Sequence, residues 1–130
     1  MAFLLLGRAQ DLLRKAGELM RASSRRVLVV LVMTSNRREA GKIAEAAIRN
    51  KVAACANLVT SVTSIFRWKG QVQKSREVLL IMKTSAHRYP ALARLVRSMH
   101  SYEVPEIIAL TVKQGLRPYL EWVHKETATD

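Results

Sequence analysis

The stretch AACANLVTSVTSIFRW, from Ala53 to Trp68, runs without a glycine or proline and is dense in valine, threonine, isoleucine and aromatic residues. Those residue types favour extended backbone. Strands in globular domains are usually about 5–6 residues long, so this one is far over length. A long strand must be paired along its whole length or bent midway, because an unpaired row of N–H and C=O groups invites wrong pairing. Lys69-Gly70 supplies a short turn, and SREVLLIMKT (75–84) reads as the antiparallel mate.

The rest of the chain is organised around that hairpin. VLVVLVMT (27–34) is a continuous β-branched run, the pattern of a strand covered on both faces. Ser35 is placed to cap a helix whose apolar positions are Ala40, Ile43, Ala44, Ala47 and Ile48, with Asn50 and Lys51 at its end. A second helix follows Ser85, with Pro90 in its first turn and Leu92, Leu95, Val96 and Met99 as its buried stripe. EIIALTVKQ (106–114) reads as a fourth strand and RPYLEWVHKE (117–126) as a last helix. The class is α+β: a ferredoxin-like β-α-β-β-α-β sandwich with a C-terminal helix, its two main helices on one face of an antiparallel sheet. The other face stays apolar and uncovered, which predicts self-association.

Residues 1–26 differ from the rest and are expected to form an extension or a targeting segment, with the domain spanning 27–130. Leu5, Ala9, Leu12, Leu13, Ala16 and Met20 recur at helical spacing, while Arg8, Asp11, Lys15 and Glu18 share another face. RASSRR (21–26) reads as a polar link. A basic amphipathic start suits mitochondrial targeting, against which Asp11 and Glu18 count, since such segments are acid-poor. A surface helix, or membrane association through this segment, is the alternative to import. The cytoplasm is the expected compartment. No apolar run approaches the roughly 18 residues of a membrane span.

The chain carries 22 basic and 10 acidic side chains, a net charge of +12. That sign attracts anionic partners, yet nowhere do five basic residues cluster. RNA-recognition domains share this element order but stack bases on aromatics of their first and third strands. VLVVLVMT and REVLLIMK have no aromatic, so no specific nucleic acid is expected. The single cysteine, Cys55, excludes an intramolecular disulfide and a Cys-rich zinc site; it is expected to pack as a small apolar residue.

Four stretches, KVAACANLV (51–59), SIFRWKGQVQKSREVLLIMKT (64–84), HSYEVPEIIAL (100–110) and YLEWV (119–123), together resemble the CutA family of divalent-cation tolerance proteins. The likeness spans about residues 27–125. It implies a tight, PII-like homotrimer whose long strands reach into neighbouring subunits. It also implies binding of, and response to, divalent metal ions, notably copper, with no established reaction. Animal members bring in a possible protein partner, through anchoring of acetylcholinesterase.

In bacterial members copper binding involves a cysteine at the end of the first strand and two adjacent histidines. Here Met33 and Met99 replace the cysteine and the first histidine, leaving His100 as the matched ligand. Two thioethers and an imidazole suit Cu(I), although methionines at strand ends and on helical stripes commonly serve packing. Around them, Tyr102 and Glu103 are candidates for a cleft or for acid–base chemistry, but no nucleophile motif accompanies them. The expectation is therefore a non-enzyme, with a non-catalytic partner-binding scaffold second and an uncharacterised small-molecule enzyme third. Trp68, Arg67 and Lys83, with Lys69 and Lys113, complete the cleft and interface candidates. Ser101 stands where the family usually has proline, which predicts a looser turn.

Overall fold

The structure, a computed structural model, describes residues 2–24 and 26–129, with side chains described for 6–19 and 26–129. Helix α1 spans Ala2–Ser24, β1 Val27–Thr34, α2 Arg37–Arg49, β2 Cys55–Trp68 and β3 Gln71–Ser85. A 3₁₀ turn, Ala86–Arg88, leads into α3 (Tyr89–Met99), then β4 (Ile107–Thr111) and α4 (Arg117–Glu126). The strands form one antiparallel sheet in the order β2-β3-β1-β4, the ferredoxin-like arrangement expected.

Both devices expected of the long strand are present. β3 pairs β2 from Cys55↔Lys83 to Trp68↔Gln71, and a register shift between Val59 and Val62 bends it. Ser61, at φ +61°, sits in the left-handed region inside that bulge. Lys69 (φ +50°) and Gly70 (φ +77°) make the two-residue turn with both central residues left-handed, which matches the twist of the flanking strands. β3 consequently starts at Gln71, several residues before its apolar run: the tight turn places Gln71–Lys74 opposite β2 whatever their polarity.

Cross-strand partners share a face of the sheet. On one face Val30, Val32, Leu80 and Met82 pack under Ile43 and Ala47 of α2 and Leu92 and Val96 of α3. The opposite face carries Val29, Leu31, Met33, Leu79 and Ile81, with Ile108 and Leu110 of β4 beside them. α4 covers only one end of that face, where Val123 packs with Val27 and Ala54.

Local chemistry sets the ends of α2. Asn36, rather than Ser35, is the N-cap: its side chain accepts the Glu39 N–H at 2.8 Å. Lys51, at φ +57°, closes the other end, with its N–H on the Ile48 carbonyl and that of Val52 on the Ala47 carbonyl. Two helical stripes are narrower than expected. Ile48 and Met99, each in the last turn of its helix, are exposed. α1 continues through most of RASSRR to Ser24; of its expected apolar positions, the side chains of Leu5 and Met20 lie outside the described residues.

Ile43→Ala removes a fully buried side chain and should cost about 2–5 kcal/mol, whereas Ile48→Ala on the same helix should cost about 0.5 kcal/mol. Urea unfolding of both variants at one protein concentration checks the difference.

Candidate ligand groove and the histidine–carboxylate support beneath it

The β2–β3 arm, the end of β1 and the loop after α3 enclose an open groove of about 800 Å³. Met33 at the end of β1, Ser64, Phe66 and Trp68 on β2, and Gln73 and Glu77 on β3 line it, closed over by Tyr102, Glu103, Val104 and Glu106. Four of the sequence-predicted residues, Met33, Trp68, Tyr102 and Glu103, therefore meet in one place. Arg67 and Lys83 do not line it. Arg67 donates to the Gly70 carbonyl at 3.3 Å across the hairpin turn. Lys83 holds the Asn57 side-chain carbonyl near the far end of the sheet.

His100 is the C-cap residue of α3, and its side chain is fully buried. One ring nitrogen, Nε2, lies 2.7 Å from the Met33 carbonyl, and the other, Nδ1, accepts the Tyr102 N–H at 3.1 Å. The Met33 carbonyl can only accept, so Nε2 carries a proton, and Nδ1 also lies 3.3 Å from the Glu39 carboxylate. Both nitrogens are thus engaged. The link to Met33 runs through backbone, while the Met33 side chain lines the groove and Met99 lies exposed at the end of α3. Metal coordination at Met33, Met99 and His100 does not fit this resting arrangement, and among the described residues no three His, Cys, Asp or Glu side chains cluster as metal ligands.

The sequence reading missed the two carboxylates that support this site. Glu39 accepts the Ser35 hydroxyl at 2.6 Å and the Ser101 N–H at 2.8 Å, and the Ser101 hydroxyl lies 2.9 Å from it. Burial alone would raise its pKa. The bonds from Ser35 and Ser101 and the nearby His100 outweigh that and hold it below the ordinary 4.5. Ser101 is therefore tied by both its N–H and its hydroxyl, which opposes the looser turn expected there. Glu77 is buried at the head of the apolar part of β3 and accepts the Tyr102 hydroxyl at 2.8 Å. Burial, then the bond to Glu77 and the charges of Glu77 and Glu39, push the Tyr102 phenol up to about 12. The ring of Tyr102 also leans on that of His100, with centroids 4.8 Å apart. The clue to Glu39 was its position three residues after Asn36, where an N-capping box places its acid. The clue to Glu77 was an acid on the same strand face as Leu79 and Ile81.

At the far end of the sheet Cys55 is half-buried rather than enclosed, with its thiol 3.7 Å from the Asn57 side chain. Every buried side-chain nitrogen and oxygen among the described residues has a hydrogen-bond partner, as a stable interior requires.

The sheet order, the two helices on one face and the groove beside a long hairpin define an α+β protein of the ferredoxin-like class. Comparison with known proteins narrows this. Residues 28–126 match the family model described as CutA1 divalent ion tolerance protein, and the chain belongs to that family. It is 46% identical over 101 residues to Protein CutA of Mus musculus, an alignment covering 78% of this chain and 57% of the mouse protein. The chain thus spans a little over half the length of the mammalian relatives it matches. With the divalent-cation tolerance protein CutA of Thermus thermophilus it shares 42% identity over 99 residues, 76% of this chain and 96% of that protein. Among solved structures, the divalent cation tolerance protein from Thermus thermophilus superposes with a TM-score of 0.77 at 41% identity, covering 78% of this chain and 99% of that one. CutA1 from Oryza sativa gives 0.79 at 38%, covering 83% and 99%.

Tyr102→Phe should cost about 1–3 kcal/mol near neutral pH by leaving the Glu77 carboxyl without its donor. The phenol's pKa in the fold exceeds the ordinary 10, so the stability it brings is complete below pH 10 and is lost as pH rises through about 12. The fall in urea midpoint over that range should be shallower in the variant than in the parent. Glu39 is the mirror case: its stability is present above the ordinary 4.5 and is lost as pH falls through the lowered value. Glu39→Gln should flatten the acid limb of the same plot, and an unchanged limb would show that the network carries none of the acid sensitivity.

Proposed function

We propose that the chain assembles as a homotrimer that takes part, without catalysis, in the handling of divalent metal ions, copper foremost. The observation that carries the assembly is the sheet face left uncovered by α4, where Ile108 and Leu110 are 48% and 54% exposed. An apolar face of that kind is stable in water only when covered. The arm formed by β2 and β3 beyond β1, with Ile65, Trp68 and Val72 exposed, supplies a limb long enough to reach a neighbour. The metal reading rests on membership of the divalent ion tolerance family. For His100 to serve as a ligand beside Met33 and Met99, one ring nitrogen must first give up the Met33 carbonyl or the Tyr102 N–H, a local opening the soft ion Cu(I) would have to offset.

A second reading, a trimer that binds or localises a protein partner, is favoured by the groove itself. Phe66, Trp68 and Tyr102 give it aromatic walls and Glu77, Glu103 and Glu106 give it carboxyls, a lining suited to a basic, partly apolar segment. No helix among the described residues is long and apolar enough to cross a membrane. Cytoplasmic residence is part of the proposal.

Native mass spectrometry with and without Cu(I) under reducing conditions tests both parts. The expected result is three copies of the 14.7 kDa chain with a fixed copper stoichiometry that His100→Ala lowers while the trimer persists. A trimer that takes no copper would leave the partner-binding reading. Leu31→Asp, which puts a charge on the open face, should give monomers, and a trimer that survives it would place the contact elsewhere.

A further inference from the structure

Helix α1 lies outside residues 28–126, the part that matches the family, and the metal reading makes no use of it. Its described leucines are turned to solvent: Leu6, Leu12, Leu13 and Leu19 are 60%, 68%, 74% and 70% exposed. None of its described side chains joins either hydrophobic cluster of the domain, and the element it meets most is the 3₁₀ turn at Ala86–Arg88. At about 100° per residue, Leu19, Leu12, Ala16, Ala9, Leu13 and Leu6 follow one another round an arc of about 140° that contains no charged residue.

The charges are ordered as well. Arg8 and Lys15 border the Leu19 edge of the arc, Arg14 lies beyond the Leu6 edge, and Asp11 and Glu18 hold the opposite pole. Arg14 reaches both acids, at 3.7 Å and 3.2 Å. The ion pairs among the described residues leave Arg8 and Lys15 out.

We propose that α1 is an in-plane membrane anchor, lying flat on an anionic phospholipid surface. Its leucine arc enters the boundary between headgroups and acyl chains, and Arg8 and Lys15 extend along that arc to meet lipid phosphates. No helix among the described residues is long and apolar enough to cross a bilayer, but an interfacial helix needs only one apolar face. The order of charges decides between a lipid surface and another copy of the helix. Helices that associate with their own kind set opposite charges beside the apolar seam. Here only cations, Arg8 and Lys15, border the seam, along its Leu19 edge, and the acids point away, so an identical helix offers no opposite charge beside the seam to pair with them. An anionic surface neutralises them instead, and the chain's net charge of +12 adds attraction at longer range.

The test is co-sedimentation of the full chain with vesicles of phosphatidylcholine, with and without phosphatidylserine. The parent should bind the phosphatidylserine vesicles and be released by salt. The charge-conserving double variant Leu12→Gln/Leu13→Gln should bind at least about tenfold more weakly with an unchanged thermal melt. Equal binding by that variant overturns the proposal, because net charge alone then accounts for it. A parent that stays in the supernatant overturns it too, and so does a variant of reduced native mass, which assigns the leucine face to a second copy. Leu13→Trp provides a check that conserves the apolar arc: bound to vesicles with brominated acyl chains, its emission should be quenched beyond that of the parent. An indole that stays unquenched while the protein is bound contradicts insertion.

Discussion

Backbone pairing between β2 and β3 underlies every other feature of the molecule. β1 supports β3 only from Val78 to Ser85, so the part of the hairpin between Val62 and Glu77 stands beyond the sheet with pairing on one side alone. An isolated two-stranded ribbon is marginal in water. The tight turn at Lys69-Gly70 and the bulge at Ser61 hold its register and direct it, but neither buries the side chains at its tip. The same arm builds one wall of the groove. Stability of the arm, exposure of the open face and shape of the ligand site are therefore one problem, and covering the arm answers all three.

The rim of the sheet shows how polar groups are kept inside such a subunit. Thr34 donates to the Val78 carbonyl, Thr84 to that of Val52, and Ser85 and Thr127 share a hydrogen bond where α4 meets the 3₁₀ turn. Arg88 reaches the carbonyls of Asn50 and Lys51 at the end of α2. Each bond ties an element end to a neighbour distant in sequence, so they hold the layers in register as well as satisfying buried groups. The His100–Tyr102–Glu77 and Glu39–Ser101 links belong to the same system, and that explains how a motif rich in chemically capable side chains can be occupied mainly with holding a loop in place.

The groove was half legible from the chain. Trp68, Tyr102 and Glu103 are conspicuous by residue type, as aromatic and carboxylate side chains beside a turn or a strand, and Met33 by the family resemblance, since it stands where bacterial members have a cysteine. Glu39 and Glu77 are not, since a glutamate in the first turn of a helix or at the head of a strand has an ordinary reason to be there. What gives each its part in the site is a partner sixty-two or twenty-five residues away. His100 stands in the sequence as the matched metal ligand, but its engagement at both nitrogens depends on where the Met33 carbonyl and the Tyr102 N–H lie. The exposure of Met99 likewise depends on what packs around the last turn of α3, which periodicity along one helix does not report.

Alternation and helical spacing determine which residues face inward within an element, and turn chemistry determines where elements reverse. Both are local, and so the element order, the two-layer packing and the hairpin could be read before any coordinates. β3 began at Gln71 and not at the start of its apolar run because a two-residue turn and the pairing of β2 outweigh the side-chain pattern of one strand. The open face, the groove and the buried histidine arise from groups brought together across the whole length of the chain. They exist only once the chain has folded, because a hydrogen bond or an apolar contact acts over a few ångströms in space, whatever the separation along the sequence.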